Sequence, residues 1–251
     1  MKIKTRTREE EILALLSERG EVTVEEISRL YSVSRVTVRS DLNSLSSRGL
    51  IQRTHGGAVK ADHTFHGGRR IVNLEKKEAL AKRAAAFVED GDSILISNGT
   101  TCTLIGKYLI GKKNIHIVTN NTSLLPFASF AGGMRITLVG GEYRPETESI
   151  VGHTAAKQMK EYHVSAAFLG TDGITLEHGL TTSLPENAGI LRAMCTRADR
   201  TIVVADSTKY GKKGFVRILP PSGIDVLITD SDFPGESRLA LERLGVEVIT
   251  V

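Results

Sequence analysis

The chain has 251 residues, 40% hydrophobic and 25% charged, with a formal net charge of +4. That length gives one or two domains and a core that needs no disulfide or metal, and the composition excludes collagen-like, mucin-like and largely disordered chains. No apolar run approaches the roughly 18–20 residues of a membrane span. The opening Met1-Lys2-Ile3-Lys4-Thr5-Arg6 reaches Glu9-Glu10-Glu11 without the apolar stretch of a secretory signal. Cys102 and Cys195 lie far apart with no CxxC spacing. This argues against a disulfide framework or zinc module and fits a reducing cytoplasm.

The charge is uneven. Residues 1–72 hold 13 Lys and Arg against 9 Asp and Glu, while residues 73–251 hold 20 of each. A basic end on a neutral body points to an anionic partner for that end. A slightly basic terminal domain without a partner has the same arithmetic, so charge alone decides nothing.

Thr7-Arg8-Glu9-Glu10 has the form of a capping box, and Ile12, Leu13, Leu15 and Leu16 follow as an apolar stripe ended by Gly20. A second box, Thr23-Val24-Glu25-Glu26, opens a short helix carrying Val24, Ile27 and Leu30. Tyr31-Ser32-Val33 makes the turn. Ser34 caps a third helix running to about Arg48, with Gly49 after it. Val38, Leu42 and Leu45 fall on one face of that helix; Arg35, Thr37, Arg39 and Ser40 fall off it, near its start. A recognition helix has this arrangement, its first turns facing base edges and its back packed on the domain. Arg pairs with guanine, and Thr meets an acceptor or a thymine methyl. A single charged stripe is usually a solvated face; three capped helices around a tight turn shift the balance. Leu50–Thr54 and Ala58–Lys60 flank a glycine pair and predict a hairpin, the wing, whose Arg53, His55 and Lys60 would reach phosphates. The candidate DNA contacts are Thr23, Ser34, Arg35, Val36, Thr37, Arg39, Ser40, Arg53, His55 and Lys60.

Val33-Ser34-Arg35-Val36-Thr37-Val38-Arg39-Ser40-Asp41-Leu42, with Arg53-Thr54-His55-Gly56-Gly57-Ala58, closely resembles the DeoR family of bacterial transcriptional regulators. Ser40 stands where that family usually has a second Arg.

Residues 61–72 have little apolar periodicity and read as a linker between a winged helix-turn-helix at 1–60 and an α/β domain at 73–251. His55, His63 and His66 lack the spacing of a metal site. Asn73 is positioned to cap a helix reaching Glu89. Strands are expected at 93–97, 115–119, 135–139, 164–169, 201–205, 226–230 and 246–250. Helices are expected between them, for instance Thr101 to Leu109, Pro185–Ala198 and Glu236–Leu244. The alternation argues for a mostly parallel sheet covered on both faces, with ligand bound outside its carboxyl ends.

Those ends collect polar and glycine residues. Asn98-Gly99-Thr100-Thr101 leads into a helix whose first amides suit an anion. Asn120, Asn121 and Asp172 suit sugar hydroxyls, and Lys209 brings a cation to the same rim. With Gly140, Gly141, Gly170 and Thr171 these form the candidate effector site for a phosphorylated sugar. Strand ends need turn residues anyway, so one such loop is weak and five on one edge are better. The P-loop and GxGxxG patterns are absent, so no nucleotide cofactor is expected.

Gly99-Thr100-Thr101, Thr119-Asn120, Gly140-Gly141 with Arg144 and Gly152, Phe168-Leu169-Gly170, Gly173-Ile174, Gly179-Leu180 and Asp206-Ser207-Thr208-Lys209 resemble the DeoR-family sensor domain. That domain shares a fold with ribose-5-phosphate isomerase. Ser97 stands where the family commonly has Asp, and the Lys often found near Leu191 is missing. The resemblance implies an oligomeric repressor, dimer or tetramer, of a sugar-catabolic operon, binding double-stranded operator DNA and released by a phosphorylated sugar. Activation in place of repression fits the same residues. A different class, a sugar-phosphate isomerase with a DNA-binding appendage, would draw on Glu186, Asp172 and Lys209.

Overall fold

The computed structural model describes residues 8–47, 51–54, 56–60, 73–130 and 133–251. Their contacts divide into two compact units, 1–66 and 67–251.

The first unit runs α1 (Arg8–Arg19), β1 (Glu21–Thr23), α2 (Val24–Tyr31), α3 (Arg35–Ser47), β2 (Ile51–Arg53) and β3 (Gly57–Lys60). The box at Thr23 is formed in full. Glu26 N–H donates to the Thr23 hydroxyl at 3.1 Å, and Thr23 N–H donates to the Glu26 carboxylate at 2.8 Å. Ser32 turns the chain at φ 52°, and the Ser34 hydroxyl accepts Thr37 N–H at 3.1 Å to start α3. Val38, Leu42 and Leu45 are fully buried with Ile12, Leu16 and Ile27, as the spacing predicts. The hairpin forms too, but β1 joins it, so the antiparallel sheet runs β1-β3-β2. β1 has three residues, too few to show a period. Gly57 permits the pairing, because a Cβ there would stand 2.0 Å from the Val22 carbonyl oxygen. Arg48, Gly49 and His55 lie outside the described residues.

The second unit opens with α4 (Leu74–Ala85), β4 (Ser93–Ile96), α5 (Thr100–Tyr108), β5 (Ile115–Thr119), α6 (Leu125–Phe130) and β6 (Met134–Leu138). A small hairpin follows, β7 (Glu142–Arg144) and β8 (Ser149–Val151), then α7 (His153–Met159) and β9 (Val164–Leu169). Next come β10 (Gly173–Thr175), β11 (Gly179–Thr182), α8 (Pro185–Thr196), β12 (Ala198–Val204) and β13 (Val216–Leu219). The chain ends with β14 (Val226–Thr229), α9 (Gly235–Arg243) and β15 (Glu247–Thr250). Seven parallel strands form one sheet in the order β15-β14-β12-β9-β4-β5-β6.

The central stretches of the strands are largely apolar because each side of the sheet is covered, while the edge strands β6 and β15 and the start of β12 carry exposed polar residues. Ile94, Ile96, Phe168 and Val204 pack with Leu80 and Ala84 of α4 and Ile105 of α5. Leu95, Ala167, Leu169 and Val203 alternate with them and pack with Ala155 and Met159 of α7 and Ile190 of α8. Two departures from expectation have local causes. Asn73 does not cap α4 with its side chain; it sits at φ 61°. The helix also stops at Ala85, where the bonds tighten to Ala86 N–H on Arg83 O and Phe87 N–H on Ala84 O, so residues 86–87 form a turn and the helix does not reach Glu89.

From β4 the chain winds outward through β5 to β6, and β9 then returns to the other side of β4. The order therefore reverses between β4 and β9, the place where open parallel sheets take ligands at their carboxyl ends.

Candidate functional site

The first candidate surface is the start of α3. Two oxygens of Asp41 accept the Arg8 guanidinium at 2.5 and 2.9 Å, tying α1 to α3 and raising the Arg8 pKa, chiefly through that hydrogen bond. Ser34, Arg35, Val36, Arg39 and Ser40 are exposed, and Val36 is 73% exposed. An apolar side chain at this position can meet a thymine methyl. Thr37 is only half-exposed and its hydroxyl lies 2.8 Å from that of Ser34, so it serves the cap. Thr23 is exposed but its hydroxyl belongs to the capping box. Arg35 is ion-paired with Glu25 of α2. The Arg53 guanidinium donates to the Arg39 carbonyl at 3.4 Å, which places it beside α3. His55 and the Lys60 side chain lie outside the described residues.

The pairing of Arg35 with Glu25 has a measurable consequence. Both side chains are at least half exposed, so the pair contributes little to folding. Glu25→Gln is therefore expected to leave the melting temperature of the first unit within about 2–4 °C, since surface changes fall within about 0.5 kcal/mol. It is expected to tighten DNA binding severalfold by freeing Arg35. Fluorescence anisotropy on operator DNA at fixed salt checks this, and weaker binding would contradict it.

The second candidate surface is the rim at the switch between β4 and β9. Gly99 holds φ +116°, a conformation that L side chains rarely adopt, and opens α5 without a side-chain cap. The first amides of α5, at Thr100, Thr101 and Cys102, have no acceptor within the helix, and its dipole favours an anion there. Cys102 is fully buried, and burial pushes its thiol up to about 11, so it packs and does not react. Ser97 donates to the Asn98 carbonyl at 3.2 Å and accepts Gly170 N–H at 3.1 Å. It thus joins the ends of β4 and β9.

Asn120 and Asn121 are brought to the rim but are spent there. Both are buried. Asn120 accepts Asn98 N–H at 3.2 Å and donates to the Ile150 carbonyl at 3.1 Å. Asn121 donates to the Thr103 hydroxyl at 2.8 Å and accepts Ser123 N–H at 3.0 Å. These bonds hold the loops at the strand ends; an Asn after a strand reads the same in sequence whether it serves loop or ligand. Asp172 is likewise engaged, accepting the Thr182 hydroxyl at 3.1 Å and Ser183 N–H at 2.8 Å. Thr171 donates to the Gly173 and Thr181 carbonyls. Gly140 N–H donates to Gln158 Oε1 at 2.7 Å, and Gly140 and Gly141 are exposed at the end of β6.

Lys209 follows β12, behind Asp206, whose carboxylate accepts Thr208 N–H at 3.1 Å. Lys77 of α4 faces both: burial lowers its pKa, Asp206 opposes that, and the like charge of Lys209 adds to it. Lys76, its neighbour, is bound to Asp230 at 2.8 Å and Asp232 at 2.5 Å. The nearness of Lys77 to Lys209 is not visible in sequence, because α4 lies more than a hundred residues upstream. Among the described residues no cluster of three or more His, Cys, Asp or Glu is suited to a metal, and no helix is long and apolar enough to cross a membrane.

Comparison with known proteins agrees with this division. The DeoR-like helix-turn-helix domain matches residues 8–64, and the DeoR C terminal sensor domain matches residues 72–231. The HTH-type transcriptional regulator GlpR of Haloferax volcanii is 33% identical over 246 residues, covering 96% of this chain and 96% of the relative. The HTH-type transcriptional repressor GlcR of Bacillus subtilis is 33% identical over 245 residues, covering 95% and 93%. Among solved structures, ribose 5-phosphate isomerase A of Methanocaldococcus jannaschii is similar at a TM-score of 0.40 and 18% identity, covering 55% of each chain; a likeness this remote carries no argument about activity.

Proposed function

The chain belongs to the DeoR family of DNA-binding transcriptional regulators, and from that premise we propose that it represses a sugar-catabolic operon until a phosphorylated sugar occupies the β4–β9 rim. In this reading residues 1–60 are the DNA-binding domain, 61–72 the linker and 73–251 the sensor. The observation that carries the effector class is the uncapped start of α5 behind Gly99, an anion cradle at the one point where the strand order reverses. Lys209 and Lys77 supply further positive charge at the neighbouring strand end.

On DNA, the exposed Arg35, Val36, Arg39 and Ser40 read base edges, and Arg53 on the wing holds phosphate. Two copies reach successive major grooves, about 34 Å apart, so the working species is a dimer or a multiple of it. The sugar phosphate releases DNA only by binding one arrangement of the protein more tightly than the other. The isomerase alternative is set aside. The relatives are regulators, and of the groups it needs, Asp172 is held by its own loop and Glu186 lies against Arg144.

Thermal unfolding against ribose 5-phosphate, glucose 6-phosphate, fructose 6-phosphate and glucosamine 6-phosphate, with the unphosphorylated sugars as controls, tests the effector class. A ligand at 100 times its Kd adds about 2.7 kcal/mol of stability. One phosphorylated sugar is expected to stabilise the protein and to weaken operator binding. Unchanged operator affinity at saturating sugar phosphate overturns the mechanism. The DNA surface is tested separately. Arg35→Ala is expected to cost about 1–3 kcal/mol on the operator and to relax base choice, whereas Arg53→Ala weakens all sequences alike and flattens the salt dependence. Equal losses on operator and random DNA for both variants would contradict this division of labour.

A further inference from the structure

Asn187 stands in the first turn of α8 and is 6% exposed. Its Nδ2 donates to Asn98 Oδ1 at 3.1 Å, while its Oδ1 is buried with no donor among the described residues. Turning this amide over alone would set two oxygens against each other; turning both amides leaves an N–H without an acceptor. In either arrangement one hydrogen-bonding position on Asn187 is open, and buried polar atoms without partners are rare and costly.

The open position adjoins the cradle. Asn98 immediately precedes Gly99, and its own N–H is fixed by Asn120. On the other side of Asn187, Glu186 Oε1 lies 3.5 Å from Arg144 Nη2 of β7, and Glu142 Oε1 lies 3.2 Å from the same nitrogen. Two carboxylates around one guanidinium leave this end of the rim without surplus positive charge. Arg144 Nε is also buried without a partner among the described residues, so this end offers a donor as well as the open position on Asn187, and a hydroxyl, which both donates and accepts, suits it.

We infer that Asn187 is the residue by which the rim distinguishes one sugar from another: it takes a sugar hydroxyl on its open position while the phosphate rests on the first amides of α5. A hydroxyl both donates and accepts, so it completes Asn187 in either amide orientation. The inference rests on the reading of the rim as a sugar-phosphate site.

Calorimetric titration of the full chain separates the two. The probes are inorganic phosphate, for the cradle alone, and the four sugar phosphates named above. The variants are Asn187→Leu, which keeps the volume, and Asn187→Ala, which serves if the leucine does not fold. Loss of one neutral hydrogen bond is expected to weaken the preferred sugar phosphate about 3- to 10-fold. Inorganic phosphate is expected to bind as before, and the ranking of the four sugars to flatten. The unliganded Asn187→Leu protein is expected to melt close to the parent, because removing the unpartnered oxygen is offset by loss of the bond to Asn98. Unchanged sugar-phosphate affinity and ranking in the variants would overturn the role of Asn187 and leave the rim reading standing. Equal losses for phosphate and sugar phosphate would make Asn187 merely structural and overturn it too. If neither phosphate nor any sugar phosphate binds the parent protein, both readings fall.

Discussion

Leu42→Ala is expected to abolish DNA binding by unfolding the first unit while the second stays folded. Leu42 is fully buried on the inner face of α3, between Val38 and Leu45 and against Ile12, Leu16 and Ile27. Removing a buried leucine costs about 3–5 kcal/mol, the lost transfer energy plus the cavity left behind. A unit of roughly 60 residues has little more stability than that to lose. Two-step thermal unfolding should show the first transition drop or vanish and the second keep its midpoint. Anisotropy should show no operator binding at low salt. A variant that keeps full operator affinity would mean that α3 is not held through this face.

The second large effect lies at Asp230, where β14 ends. Its carboxylate is 3% exposed and carries four contacts. Lys76 Nζ lies at 2.8 Å, Ser207 N–H donates at 2.6 Å, the Ser207 hydroxyl at 2.9 Å, and Asp232 N–H at 3.2 Å. Burial would raise its pKa, but Lys76 and the Ser207 donors outweigh that and bring it down to about 2. The same pair raises the pKa of Lys76. Because the folded pKa lies below the unfolded value of 3.8, the carboxylate's contribution is complete above that value and is lost as pH falls from there toward 2. That contribution is about 2 kcal/mol at neutral pH.

Asp230→Ala also strands Lys76 and Ser207, so about 3 kcal/mol is expected, near the lower end for breaking a buried pair because Lys76 is partly exposed. For a unit of this size that lowers the melting temperature by roughly 6–12 °C. Melting curves of parent and variant at pH 7 and pH 2.5 check the sign. The gap should be wide at pH 7 and narrow at pH 2.5. An equal gap at the two values would show that charge is not what Asp230 contributes. Lys76 also anchors α4, which carries Lys77 beside Lys209, the positive charge that the proposed rim would draw on.

These two positions show what the sequence makes legible and what it hides. Leu42 is readable, since its i, i+4, i+7 companions Val38 and Leu45 announce a buried helix face, and the Thr23 box and Ser34 cap announce where helices begin. The seven parallel strands are readable for a similar reason. A strand covered on both faces is apolar at nearly every position, as β4 and β14 are, and such runs stand out between glycine-rich ends. The ion pair of Lys76 with Asp230 is not readable, being formed between residues 154 apart. Nor are β7 with β8, or the small sheet β10-β11-β13. These strands have three or four residues each, and their partners are chosen by the fold that brings them together.

The candidate rim divides the same way. That polar loops gather at one edge of the sheet follows from the strand pattern, and Gly99 marks where α5 starts. Which of those polar residues remain open to a ligand does not follow. Asn120, Asn121 and Asp172 have the chemistry of sugar ligands, yet each is consumed by neighbouring backbone or hydroxyl groups. Asn187, which in sequence is only the third residue of a helix, keeps an open buried position.

By itself, then, the sequence determined the family, the two kinds of unit, the helix caps and the buried faces. All of these are set by residues within a few positions of each other, where propensity, capping and periodicity act. Tertiary structure alone decided which polar groups are spent and which are open. Hydrogen-bond satisfaction is settled only when distant segments meet, and it depends on distances of a few tenths of an ångström that no spacing along the chain encodes.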